Sequence, residues 1–186
     1  MKATEELKKE HRGIELMLHV LSAVSEKVGR GESMHLPHID GIMEFLTVFI
    51  DKCHHGKEEE FLFPALEAAG VARDGGPIGV MLSEHEQGRR LVARLRKCMA
   101  DYQSGDKQAA AGIQQTVKAY VDLLNQHIAK EDTVLFPMAD ARLDASQDTT
   151  LFEAFERLER ERIGAGKHES FHALLDQLQD TYLKPA

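Results

Sequence analysis

The sequence predicts an all-α fold: an up-down-up-down four-helix bundle followed by two further helices. Three observations lead there. Apolar residues recur at helical spacing along nearly the whole chain, and no alternating strand pattern competes. Glycine and proline cut this pattern into long segments with short connections, which sets successive helices antiparallel. One motif is also written twice, so that two helices carry the same local chemistry. His54-His55-Gly56-Lys57-Glu58-Glu59-Glu60-Phe61-Leu62-Phe63-Pro64 is echoed by His127-Ile128-Ala129-Lys130-Glu131-Asp132-Thr133-Val134-Leu135-Phe136-Pro137.

Helix one is expected from about Thr4, a candidate N-cap, to Val28, where Gly29 and Gly31 stop it. Pro37 suits the first turn of helix two, which runs to about Phe63 with a further turn toward Gly70. Val71 to Gly76 reads as loop. Pro77 opens helix three, which ends near Ser104-Gly105. Asp106 is a candidate N-cap for helix four, which ends near Pro137. The composition then changes. Asp148 is expected to cap a helix through Arg162, Ile163-Gly164-Ala165-Gly166 breaks it, and His168 to Leu183 forms a last amphipathic helix. The expected domains are a bundle over 1–143 and a helical extension over 144–186, which packs on the bundle or serves an oligomer contact.

The 186 residues suffice for one domain with a real core, and 42% hydrophobic with 29% charged residues is ordinary for a water-soluble globular chain. A net charge of −8 argues against nucleic acid or an anionic membrane as partner. No apolar run approaches a membrane span, and the acidic N-terminus does not read as a signal peptide. Two cysteines make no disulfide framework, so a reducing cytoplasm is expected.

Each bundle helix has an apolar seam, and each seam contains a histidine. Helix one aligns Leu7, His11, Ile14 and Leu18; helix two aligns Leu46, Ile50, His54, Glu58 and Phe61. Helix three aligns Met81, His85, Gly88 and Val92; helix four aligns Leu124, His127, Glu131 and Val134. His11 and His85 lie early in their helices, His54 and His127 late in theirs, so antiparallel packing brings all of them to one end. A single core histidine is usually just a satisfied polar residue. Four imidazoles and two carboxylates at one level, with no Lys or Arg in the seams, are costly unless cations neutralise them. The ligand candidates are therefore His11, His54, Glu58, His85, His127 and Glu131. His55 and Glu59 fall on a more polar stripe and are expected as supporting or surface residues, with the shifted register as the alternative. Glu15, four after His11, is a ligand or supporting candidate, and Arg89, four after His85, is expected to pair with it.

Taken together, Glu10-His11-Arg12-Gly13-Ile14-Glu15, Cys53 to Glu59, Glu84-His85-Glu86 and His127 to Pro137 resemble the hemerythrin-like, HHE cation-binding family over residues 5 to 140. The resemblance implies a bundle holding two non-haem irons, joined by an oxo or hydroxo group and bridged by Glu58 and Glu131, with His11, His54, His85 and His127 as terminal ligands. Zinc or manganese could occupy the same ligands. Oxygen-carrying members place a second histidine where Arg89 stands here. That departure implies a more open site and points away from simple oxygen carriage, toward sensing or reaction with O2, peroxide or nitric oxide, or toward iron homeostasis.

Three other readings compete. A ferritin-like oxidase needs Glu-x-x-His on two helices, and only Glu169-Ser170-Phe171-His172 stands out. A sensor would use the last two helices as output. A metal-free bundle is the third. His168 and His172, four apart, read as a solvated face before a second metal site; His19 reads as peripheral, His35 and His38 as loop residues, and Cys53 as a small core residue.

Overall fold

The computed structural model describes residues 1–164 and 166–184. Ala165, in the expected break before the last helix, lies outside them. Every regular element among the described residues is helical. Helix α1 is Lys2–Gly29, α2 spans 36–68, α3 is Pro77–Gln103, α4 spans 109–142, α5 spans 145–163 and α6 is Lys167–Tyr182. Helix α1 packs on α4, α3 packs on α4 and on the middle of α2, and α5 and α6 both lie against α1.

Three starts differ from expectation. Helix α4 begins at Ala109 with Gln108 at its cap, while Asp106, expected there, sits in the preceding turn and accepts from the Gln108 N–H at 2.9 Å. The other two differ for one linked reason. Helix α1 begins at Lys2, and Thr4 is not its cap. The backbone N–H groups of Lys2 and Ala3 donate instead to the Asp148 carboxylate, at 2.9 and 3.0 Å. Helix α5 is capped four residues earlier than expected, by Asp144 in a reciprocal capping box with Gln147. Asp148 thus caps a helix remote in sequence, a role that no local pattern encodes.

Helices α2 and α4 are not uniform. Phe45–His55 and Glu58–Leu62 of α2, and Glu131–Leu135 of α4, form wide turns with i→i+5 hydrogen bonding. In each copy of the repeat the wide turn starts at the central glutamate and ends just before Phe-Pro. Proline lacks an N–H and cannot continue a regular ladder, but it can open the next α-helical segment, as Pro64 and Pro137 do. Wide turns also shift the inward face, so Cys53, His54 and His55 are all buried.

Apolar packing falls into two clusters, one containing Ile14, Ile50, Val92 and Leu124, the other Leu7, Leu62, Met81 and Leu135. On α1, α2, α3 and α4 alike, the buried histidines and glutamates other than His38 lie in sequence between these two sets. Phe155 of α5 joins one cluster, and Phe171, Leu175 and Leu178 of α6 join the other. His38 is buried, not loop-exposed: it hydrogen-bonds Tyr182 Oη at 2.9 Å and faces Gln177, tying α6 to α2. No helix among the described residues is long and apolar enough to cross a membrane.

Candidate metal centre

Between the two apolar clusters, His11, His54, His55, Glu58, His85, His127 and Glu131 are each no more than 4% exposed. They converge in two groups, each able to place one donor atom per residue within 4.8 Å of the others. One group is His11, His54, Glu58 and Glu131; the other is His55, Glu58, His85 and His127. Glu131 also faces the second group. Its Oε2 lies 3.2 Å from His11 Nε2 and its Oε1 lies 3.2 Å from His127 Nε2. Glu58 does the same, with Oε1 3.7 Å from His54 Nε2 and Oε2 3.4 Å from His85 Nε2. Each carboxylate thus turns one oxygen to each group.

The repeat explains the shell behind these residues. His54 Nδ1 bonds Glu10 Oε2 at 2.8 Å, and His127 Nδ1 bonds Glu84 Oε2 at 3.0 Å. Those two glutamates directly precede His11 and His85. In return, His11 Nδ1 bonds Asp132 Oδ1 at 2.8 Å, and His85 Nδ1 bonds Glu59 Oε1 at 2.7 Å. Asp132 and Glu59 directly follow the two central glutamates. The repeat's lysines, Lys57 and Lys130, hold Glu10 and Glu84. Arg12 holds Asp132 at 2.8 Å, and Arg89 holds Glu59 at 2.7 Å. A histidine donating through Nδ1 keeps its Nε2 lone pair for the centre.

Charge decides what the centre can do. All four outer carboxylates are held by a Lys or Arg, whereas Glu58 and Glu131 face only the imidazoles of the centre. Their four oxygens are buried and accept no hydrogen bond. A buried carboxylate in that state is strongly unfavourable unless a cation meets it. The Nε2 atoms of His11 and His54 stand 3.2 Å apart, and those of His85 and His127 3.1 Å apart. Two imidazole nitrogens at right angles on one ion, each at a bond length of about 2.1 Å, would stand about 3.0 Å apart. The donor set and its spacing fit metal ions.

In the protein alone, protons substitute for that positive charge. Burial disfavours charged His11, but Asp132 and Glu131 outweigh it and raise its pKa to about 9. Burial likewise opposes charged His85, and Glu58 and Glu59 raise it to about 9. Burial works against ionised Glu58 too, yet His54 and His85 hold its pKa down to about 2. Burial, then His85, push His55 far below the ordinary histidine range, so it is a neutral imidazole.

Several expectations need correcting. His55 does not lie on a polar stripe: it is 4% exposed and stacks on His85 at 3.8 Å between ring centroids. The wide turns of α2 are the cause, since they bring two successive residues inward. Glu15 is half-exposed and bonds Arg12 at 2.9 Å, away from the cluster. The expected Glu15–Arg89 pair does not form, because Arg89 is held by Asp51 and Glu59, both at 2.7 Å. Lys57 is fully buried beside the centre although no seam contains it. His19 is exposed. His168 pairs with Glu159, and neither it nor His172 belongs to a metal-capable group among the described residues. Cys53 is buried, and burial pushes its thiol up to about 12, which makes it inert. Sequence reading missed Glu10, Asp51, Glu84 and Asp132; the Glu-His pairs and the acid after each central glutamate were the available signals.

The hemerythrin HHE cation-binding domain family matches residues 2–139. The chain belongs to that family. An uncharacterized protein of Mycobacterium tuberculosis is 27% identical over 178 residues, 96% of this chain and 68% of that protein. The iron-sulfur cluster repair protein YtfE of Dickeya chrysanthemi is 26% identical over 143 residues, 67% of this chain and 65% of that protein. The iron-sulfur cluster repair protein DnrN of Neisseria gonorrhoeae is 35% identical over 86 residues, 45% of this chain and 54% of that protein. No solved structure matches the chain.

Proposed function

We propose that this HHE protein is a non-haem di-iron protein that binds or reacts with O2, peroxide or nitric oxide. Its first 143 residues form an up-down-up-down bundle, and 144–186 are an extension upon it. His11 and His54 would hold one ion, His55, His85 and His127 would hold the other, and Glu58 and Glu131 would serve both. The observation that carries this reading is the set of four buried, donor-free oxygens on Glu58 and Glu131. Iron in such a setting supplies an open position and one-electron chemistry. Glu10, Glu59, Glu84 and Asp132 orient the imidazoles with Nδ1 outward and Nε2 toward the centre, where an ion would take the place of the proton that His11 and His85 carry in the protein alone. The apolar clusters above and below limit water. Iron is favoured over zinc or manganese because relatives are named for iron-sulfur cluster repair. The reading is tested by metal analysis of purified protein. Two irons per chain are expected, and neither in Glu58→Ala or Glu131→Ala. Folded, metal-free wild type would refute it.

A sensor without turnover is the second reading. Its support is one hydrogen-bonded path from the centre into the extension: His54 to Glu10, Glu10 to Lys57, Lys57 to Glu159 at 3.4 Å, and Glu159 to His168. Protease sensitivity of 144–186 that rises on chelation, with no turnover of peroxide or nitric oxide, would favour it.

A further inference from the structure

Four of the five clustered histidines are anchored from behind by a carboxylate at 2.7 to 3.0 Å. His55 is not. Its Nδ1 lies 3.7 Å from Asp51 Oδ1, too far for a hydrogen bond, and neither of its ring nitrogens has a partner. Asp51 is instead engaged by Arg89 Nε at 2.7 Å. Arg89 therefore acts in two directions. It steadies Glu59, and through Glu59 it anchors His85. It also occupies Asp51, and so leaves His55 without an anchor.

A cavity of about 170 Å³ adjoins His55, lined among others by Ile50, Gly88, Val92 and Tyr120, with Arg89 and Asp51 also on its wall. None of the other four histidines lines it. An apolar cavity of about 150 Å³ admits a benzene molecule, so this one has room for an imidazole ring. Gly88 keeps part of that space open, since a Cβ there would reach Tyr120 Cε2 at 3.7 Å.

We propose that His55 is a displaceable ligand, able to leave the three-histidine side of the centre by turning its ring into this cavity and so to open a coordination position for a small anionic or diatomic ligand. The proposal rests on the reading that two metal ions are held here. With His55 in place, that side has three imidazoles and two carboxylate oxygens. With His55 turned away, it has two imidazoles and two oxygens, the same donor set as the side of His11 and His54. The step is a ligand exchange: one metal–nitrogen bond breaks, one bond to the incoming ligand forms, and no electron moves.

The test uses the full chain, stripped with chelator and reloaded with Co(II), whose visible spectrum reports coordination number. Two cobalt ions per chain are expected; fewer would overturn the two-metal reading and this proposal with it. Azide is then titrated. Wild type should take up two azides, one per cobalt. Val92→Phe, which fills the cavity, should keep both cobalt ions but take up one azide, or bind the second at least tenfold more weakly. Gly88→Ala should act in the same direction with smaller effect, and serves if the phenylalanine variant does not fold. His55→Ala should keep both cobalt ions and bind two azides at least as tightly as wild type, whereas His85→Ala, which removes an anchored ligand, should lose a cobalt. With two cobalt ions bound in wild type, loss of one from His55→Ala, or unchanged azide uptake in both cavity variants, would overturn this proposal alone.

Discussion

Lys57 and Lys130 occupy the same position of the repeat and do the same local work, yet truncating them should have very different consequences. Lys57 is fully buried and its partner Glu10 is 2% exposed at the side chain. Lys130 is 40% exposed and its partner Glu84 16%. The asymmetry comes from the extension: Glu159 and Phe155 of α5 approach Lys57, Nζ lying 3.4 Å from a Glu159 oxygen and 5.9 Å from the Phe155 ring centroid. Removing one member of a buried ion pair strands the other and costs about 3–5 kcal/mol, whereas an exposed pair contributes about 0–1 kcal/mol. Lys57→Met should therefore be about 3 kcal/mol less stable than Lys130→Met. For a chain of this size that is a melting temperature roughly 6–12 °C lower. Urea and thermal denaturation of both variants would measure it, with chelator and with metal, so that metal loss is separated from ion-pair loss. If the two variants fall within about 1 kcal/mol of each other under chelator, the extension does not bury Lys57 in solution and the argument fails.

Three further outcomes are expected. With chelator present, stability should decline as pH rises from about 6.5 to about 9. The raised pKa values of His11 and His85 mean that the folded chain holds two protons that the unfolded chain releases, a contribution present below 6.5 and lost through 9, of order 3 kcal/mol each at most. Metal should flatten this window, and an equally flat profile without metal would contradict the packing of carboxylates on these imidazoles. Asp148→Ala should cost about 1 kcal/mol by leaving the first N–H groups of α1 uncapped, and amide exchange in that turn should rise; unchanged exchange would show that water replaces the cap. Iodoacetamide should label Cys98, which is partly exposed, and spare buried Cys53 until the protein unfolds; early labelling of Cys53 would mean that the α2 wall opens.

Helical periodicity and the doubled motif were enough, without any structure, to read an all-α chain and to name His11, His54, Glu58, His85, His127 and Glu131 as a group that converges. Both signals are local, since a seam and a His-to-Glu spacing follow from helix geometry alone. Seam analysis assumes one constant turn, however, and α2 does not keep it. Its wide turns carry His55 inward beside His54, where a constant register offers one or the other. The outer carboxylates were hidden for a different reason. Glu10 serves His54, Glu84 serves His127, Glu59 serves His85 and Asp132 serves His11, so each partner lies on another helix. Asp148 capping α1 and Arg89 choosing Asp51 over Glu15 are of the same kind. Sequence by itself determined the apolar seams and the histidines and central glutamates that share them, whereas Glu10, His38 and Lys57 are buried outside any seam. Tertiary structure alone decided which charges meet, because that depends on side chains brought together from positions far apart in the chain.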